Sequence, residues 1–285
     1  MGIGVKVGAV SRTRHPSVVP FQGVATASAA PDRGQDFVDF GPVRVVRQKR
    51  EEIAQMAERV IENGDGPLGV AFCNVHTAEI AFRDAQFADA LDRLVVVNDG
   101  IGLELGARIV SGRGFPENLN GTDFIPYLFG RLSKPTRVYF LGSLPGVAEE
   151  AARNFATRFP HVVVAGCQNG CFTRGEEEAA VVAAVRAAAP DILLVAMGNP
   201  KQEIFIAEHF EALGAQVMFG VGALFDFASG RIPRAPLRLR QMRLEWAYRL
   251  WLEPARLARR YTTGAAAFFT AAIRLRLAGE QRRRA

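Results

Sequence analysis

The sequence predicts an α/β fold in which a parallel sheet is flanked by helices, followed by a basic helical C-terminal appendage. Three observations carry that prediction. Short apolar runs rich in Val, Ile and Leu recur along the chain and, in its second half, alternate regularly with stretches of helical spacing. These runs are continuous rather than alternating in polarity, the pattern of strands buried on both faces. The charge is divided unevenly: residues 231–285 hold fourteen arginines, no lysine and three acids, a net of +11, so residues 1–230 carry −5 of the chain's total of +6.

Residues 1–40 are rich in Gly, Ala, Ser, Pro and Val with little periodicity, and read as disordered or loosely attached. The α/β domain is expected over 41–230 and the appendage over 231–285. Residues 43–46 read as a first strand. Residues 48–61 place Ile53, Met56, Ala57, Val60 and Ile61 on one helical stripe, and Asn63-Gly-Asp-Gly-Pro then breaks the chain. A buried-type strand over 68–73 ends at Asn74, and short helices are expected near 77–82 and 85–91. The β-branched run Val95-Val-Val stops at the turn Asn98-Asp99-Gly100, after which helical spacing resumes from Ile101 to about Val110. Residues 112–123 form a long polar loop, of the kind that tends to be functional. Strands at 136–141, 162–165, 191–196 and 216–221 alternate with helices at 145–159, 176–188 and 202–213. Helices of that length between strands give right-handed crossovers, hence a Rossmann-like parallel sheet.

Composition narrows the function classes. A chain of 285 residues, 49% hydrophobic, can bury one large α/β core with an appendage. The odd set Cys73, Cys167 and Cys171 argues against a disulfide framework and suits a reducing compartment; Cys167 and Cys171, with no second pair nearby, do not make a zinc site. No apolar run reaches about 18 residues, and the N-terminus lacks a basic stretch followed by an apolar core, so neither a membrane span nor a secretory signal is expected. There is no G-x-G-x-x-G fingerprint and no P-loop, which counts against a nucleotide-cofactor oxidoreductase. The turn Leu141-Gly142-Ser-Leu-Pro-Gly sits between strand and helix, where backbone N–H groups could hold a phosphate or glycine could merely make the turn. No Asp-x-Asp pair occurs, so no metal site and no cofactor is expected.

The candidate residues follow from position. Asp99 stands at the carboxyl end of its strand beside a helix start, where open α/β sheets build sites; it can cap the helix, hold a ribose or act as a general base. Asn74 falls on the same edge if the two strands are parallel neighbours. His76 reads most simply as a partly buried loop histidine, with catalysis as its second reading. Thr122 or Asp123 can cap the helix after the long loop. Gln202 and Glu203 open a helix and either cap it or contact a ligand. Arg231 and Arg234 can neutralise a leaving diphosphate or form a solvated basic face. In the appendage, Leu237, Leu239, Met242, Leu244, Trp246, Tyr248, Leu250, Trp251 and Leu252 interleave with arginine, which suits a lipid interface better than a nucleic-acid groove. Residues 265–277 read as a further helix, facing either a membrane or a packed surface on the sheet or a second copy of the chain.

Five stretches stand together: Asn98-Asp-Gly-Ile-Gly, Asn120-Gly-Thr-Asp, Gly198-Asn-Pro-Lys-Gln-Glu, the run from Phe225-Asp-Phe through Arg231-Ile-Pro-Arg-Ala-Pro, and Leu244-Glu-Trp through Tyr261. In this order and spacing, over about residues 43–261, the chain resembles the WecG/TagA/CpsF family of glycosyltransferases. The resemblance implies an inverting, metal-independent hexosyltransferase working peripherally at the inner face of the bacterial cytoplasmic membrane. It would move an N-acetylmannosamine-type or related sugar from a UDP-sugar donor to a polyprenyl-diphosphate-linked acceptor in exopolysaccharide or cell-surface glycan synthesis. It implies Asp99 as base, Asn74 and Gln202 at the site and arginines of the appendage reaching it, and the residues read from position, Asn98, Gly100, Thr122, Asp123, Gly142, Glu203, Arg231 and Arg234, join them around the substrates. Arg249, Arg256, Arg259, Arg260, Trp246 and Trp251 would meet the membrane or the acceptor diphosphate. The partners implied are the two substrates and an anionic membrane surface, with no nucleic acid; homo-oligomerisation stays open. Two departures stand out. Phe72 occupies a place where many members carry threonine, and Arg243 a place where many carry glycine. A non-catalytic scaffold of a polysaccharide assembly is the remaining alternative.

Overall fold

The structure is a computed structural model that describes residues 36–242, 244–255 and 260–284. Most of the expected 1–40 segment, all of residues 1–35, lies outside the described residues.

The core is a six-stranded sheet in the order β4-β3-β8-β7-β5-β6, with every neighbouring pair parallel. Its strands are β3 (Leu68–Cys73), β4 (Val95–Asn98), β5 (Thr136–Gly142), β6 (Val162–Gln168), β7 (Ile192–Ala196) and β8 (Val217–Gly220). Strands β3, β4, β7 and β8 are buried at every position, as continuous apolar runs require. One face is covered by α2 (Val75–Ala81), α3 (Ala85–Asp92), α4 (Ile101–Ser111), α7 (Glu176–Ala188) and α8 (Lys201–Glu208). The other is covered by α1 (Arg50–Asn63), α5 (Gly121–Arg131), α6 (Val147–Arg158) and α9 (Leu224–Ala228). The helix after β5 and the helix after β7 thus lie on opposite faces although the strands are adjacent. Their carboxyl ends mark the topological switch point, where ligand crevices open in such sheets.

At the N-terminal side one expectation is met and one is corrected. The strand at 43–46 is real as β2 (Arg44–Val46), but it pairs antiparallel with β1 (Phe37–Asp39) in a separate ribbon. Residues 36–40 are therefore not loose: Val38 and Phe40 are buried, and the Phe40 ring lies 5.5 Å from that of Phe268.

The appendage comprises α10 (Leu237–Gln241), α11 (Glu245–Leu252), a π-helical turn (Arg260–Gly264) and α12 (Ala265–Arg284). Of the readings open for its last helix, packing on the domain holds for α12. It lies along α2 and α4 with Phe268 and Ala272 fully buried. Gly106 makes the seat: a Cβ there would come within 2.5 Å of the Phe268 ring. Ile273 and Leu277 remain exposed.

Candidate active site

The β3–β4 pairing sets Cys73 opposite Asn98, so Asn74 and Asp99 leave the carboxyl edge side by side. The Asp99 N–H donates to the Cys73 carbonyl at 2.7 Å. Asn74 caps α2: its Oδ1 accepts from the N–H groups of His76 at 3.0 Å and Thr77 at 3.2 Å. With the oxygen committed to the helix, the Nδ2 end must face Asp99, and it lies 3.5 Å from Oδ2. Asp99 is half-buried, with the Asn74 amide beside its carboxylate. His76 sits in the first turn of α2, not in a loop, with Nδ1 3.7 Å from the buried Glu79.

Asn98 is a correction. Its side chain is 1% exposed, and Nδ2 donates to the Glu117 carbonyl at 2.8 Å, so it fastens the long loop instead of meeting solvent. Gly100 is the N-cap of α4 at φ +87°, which favours glycine. Its N–H donates to Asn118 Oδ1 at 2.6 Å. The loop is held further by Glu104, which accepts from the Phe115 N–H at 2.7 Å, and by Arg47, which reaches the Gly114 carbonyl.

The caps expected at Thr122 or Asp123 belong to Asn120, whose Oδ1 accepts from the Asp123 N–H at 2.9 Å. Thr122 is a half-buried residue of the first turn of α5. Asp123 instead holds the appendage, 2.8 Å from Arg234 and 3.7 Å from Arg240, while Arg234 also reaches Glu245 of α11 at 3.4 Å.

Gln202 and Glu203 lie beneath the edge rather than on it. Gln202 is 2% exposed; its Oε1 accepts from the N–H groups of Gly198 at 3.1 Å and Gly222 at 3.0 Å, tying the loop after β7 to the loop after β8. Its Nε2 donates to Glu203 Oε1 at 2.8 Å, and Asn199 Nδ2 donates to the same oxygen at 2.6 Å. The Asn199–Pro200 peptide is cis. Glu203 is fully buried, its Oε2 has no hydrogen-bond partner among the described residues, and burial pushes its carboxyl up to about 7. The Cys73 thiol is pushed up first by burial and then by the charges of Asp99 and Glu203.

At the switch point a Cβ on Gly142 would meet the Ala196 carbonyl oxygen at 2.4 Å, so only glycine fits between β5 and β7. Ser143, at φ +59°, donates its N–H to Ala196 O at 2.8 Å and its hydroxyl to Asp226 Oδ1 at 3.2 Å. Arg231 Nη1 donates to the same Asp226 oxygen at 2.9 Å, with about half of the Arg231 side chain exposed beside the loop. Arg231 and Arg234 thus serve different ends of the edge. The sheet order sets Asp99 and the β5 end four strands apart, roughly 19 Å at the usual strand spacing.

In α11, Trp251 is 75% and Trp246 39% exposed, with Met242 and Leu252 exposed nearby. Arg256 and Arg259 lie outside the described residues, as do the side chains of Arg249 and Arg260 and the whole of Arg243. No helix among the described residues is long and apolar enough to cross a membrane. Phe72 packs against Phe124 and Phe219 and gives that position no hydroxyl. Glu178, Glu208 and His209 are grouped closely enough to ligate a metal, but they sit on α7 and at the end of α8 and are already bonded to one another or to Arg174 and Gln86. Sequence reasoning missed Asn118, Asn199 and Ser143. Each stands beside a glycine turn or a helix start at the carboxyl edge, the one signal that could have picked them out.

With its polar groups gathered along one edge of a Rossmann-like sheet and an arginine-rich segment fastened beside them, the chain has the build of a glycosyltransferase. Residues 38–282 match the model of the glycosyl transferase WecG/TagA/CpsF family, and the chain belongs to that family. It is similar to the N-acetylglucosaminyldiphosphoundecaprenol N-acetyl-beta-D-mannosaminyltransferase of Bacillus subtilis, 30% identical over 197 residues that cover 67% of this chain and 75% of the relative. It is also similar to the protein of the same name from Bacillus spizizenii, 32% identical over 162 residues that cover 56% of this chain and 62% of that one.

Proposed function

We propose that the chain transfers an N-acetylmannosamine-type or related hexose from a UDP-sugar, with inversion, to a polyprenyl-diphosphate-linked saccharide in exopolysaccharide or cell-surface glycan synthesis. The reading is supported by family membership and by the names of the two relatives. The observation that carries it is the juxtaposition of Asp99 and Asn74 at the carboxyl edge of β3 and β4.

Asp99 takes the proton of the acceptor hydroxyl as that oxygen attacks the anomeric carbon. The bond from that carbon to the diphosphate oxygen breaks, and UDP leaves with the bonding pair. Asn74 donates toward Asp99 Oδ2 and so favours the ionised carboxylate a base requires. The donor nucleotide lies along the edge with its base toward the switch point and Arg231, and Arg234, held by Asp123 at the β4 end where Asp99 stands, meets the charge that develops on the leaving diphosphate. Gln202 and Glu203 act from below as positioning residues for the loops after β7 and β8. The appendage completes the acceptor side. Exposed Trp246 and Trp251 enter the interface of an anionic cytoplasmic leaflet, where each basic neighbour adds on the order of 1 kcal/mol.

The test is UDP release, and product by mass spectrometry, from UDP-N-acetylmannosamine and a short-chain polyprenyl-diphosphate-linked N-acetylglucosamine. Asp99→Asn should reduce kcat by about 10²- to 10⁴-fold, the worth of a general base. Full transfer by Asp99→Asn removes the base, and turnover with neither this donor nor related UDP-sugars removes the proposed donor class.

A further inference from the structure

We infer that Asn118 is a positioning residue for the reaction, holding the turn that aims Asp99; the inference rests on Asp99 being the base. The loop segment 117–119 is laced onto the end of β4 by three bonds. Asn98 Nδ2 donates to the Glu117 carbonyl at 2.8 Å, and the Leu119 N–H donates to the Asn98 carbonyl at 3.0 Å. Between them Asn118 Oδ1 accepts from the Gly100 N–H at 2.6 Å. These bonds fall on the residues immediately before and after Asp99 and leave Asp99 itself between the loop and the end of β3.

The Gly100 bond is the one that sets direction. Gly100 is the N-cap of α4 at φ +87° and carries no side chain with which to fix its own conformation. A peptide at such a turn is free to rotate unless its N–H is satisfied, and the Asn118 carbonyl oxygen satisfies it from across the loop. Rotation of the Asp99–Gly100 peptide changes ψ of Asp99 and with it the rotamers open to its side chain, so the carboxylate is no longer held toward Asn74. The two bonds to Asn98 can survive loss of the third, because they use backbone atoms of residues 117 and 119 and the Asn98 side chain. The loop is also pinned outside this segment, by Arg50 against Glu117 at 2.8 Å and by Glu104 on the Phe115 N–H. Removal of the Asn118 side chain therefore frees the turn without freeing the loop.

The experiment compares wild type, Asn118→Ala, Asn118→Asp and Asn118→Leu in the full chain, with Asp99→Asn in parallel. It uses the same UDP-N-acetylmannosamine and polyprenyl-diphosphate-linked acceptor and reads kcat, KM for each substrate and thermal midpoint. Asn118→Ala and Asn118→Leu are expected to lower kcat by about 10- to 100-fold with donor KM within about threefold of wild type, the cost of a misplaced catalytic group. Asn118→Asp keeps an acceptor oxygen at the same reach and is expected to recover most of that kcat. Unchanged kcat in Asn118→Ala, a rise in KM alone, or Asn118→Asp as slow as Asn118→Ala would each overturn the inference. If Asn118→Ala and Asn118→Leu fail to fold while Asn118→Asp folds with normal kcat, the bond serves folding and the inference is likewise overturned. An active Asp99→Asn overturns the base reading itself, whereas an inactive Asp99→Asn beside a fully active Asn118→Ala overturns only this inference.

Discussion

Replacing Glu203 by Gln should remove a pH dependence from the stability of the protein. Glu203 is fully buried, with one oxygen receiving two amide donors and the other without a partner, and burial raises its carboxyl from 4.5 to about 7. A raised acid in the folded state binds its proton more tightly there than in the unfolded chain. Its stabilising contribution is complete below about pH 4.5, falls as pH rises toward 7, and levels off at a constant deficit above that. The shift from 4.5 to about 7, at 1.36 kcal/mol per unit, amounts to about 3 kcal/mol. Full burial means that no discount for solvent screening applies. Urea denaturation of wild type and Glu203→Gln at intervals from pH 4.5 to 8 isolates the term, because every other titrating group is common to both proteins. The wild-type curve should fall relative to the variant by about 3 kcal/mol across that range, with unchanged m-values. Parallel curves would refute the reasoning, since Glu203 would then ionise alike in both states.

Other consequences can be checked more briefly. Phe268→Ala should cost about 3 to 5 kcal/mol and lower the thermal midpoint, because the ring is fully buried between α12 and Gly106 of α4; a loss below about 1 kcal/mol would mean α12 is not held there. Trp251→Ala should weaken co-sedimentation with anionic vesicles severalfold and leave the thermal midpoint within a degree or two, as that residue is 75% exposed; undiminished binding would place the lipid contact elsewhere. Turnover should persist in EDTA if arginines such as Arg234 rather than a divalent ion meet the leaving diphosphate, and a strict metal requirement would overturn that assignment. Asp123→Ala should leave Arg234 and Arg240 without their shared anchor and speed proteolysis near residues 234–245, whereas an unchanged cleavage rate would show the appendage is held by other contacts.

The sheet was legible in the sequence because its strands are buried on both faces. Runs such as Leu68–Cys73 and Ile192–Ala196 carry no alternation to confuse with a surface strand, and the helices between them leave only a parallel arrangement. What escaped was structure held by partners distant in the chain. The β1–β2 ribbon ends at Phe40, whose ring meets that of Phe268 more than two hundred residues away, so the segment around residue 38 looked featureless by itself. The seat of α12 depends on the missing side chain of Gly106, which in sequence is only a weak helix residue.

The site was legible as a set of residue types but not as a division of labour. Asp99, Asn98, Gln202 and Glu203 look alike in sequence: polar groups at the ends of apolar strands or the starts of helices. Burial separates them. Each parallel strand that ends at the carboxyl edge leaves a loop whose backbone donors and acceptors need partners, and inside the edge only a side chain can supply them. Asn98 serves the Glu117 carbonyl, Gln202 serves two glycine N–H groups, and Asn120 serves the start of α5. A polar residue spent in this way is no longer free to meet a substrate, however apt its chemistry. Around Asp99, Asn98 and Asn118 take up the loop on either side, and the capping oxygen of Asn74 turns its amide nitrogen toward the carboxylate. The side chains of Asn98 and Gln202 are thus consumed in holding the loops of this edge, and burial tells them apart from residues of the same type that sequence alone would rank equally.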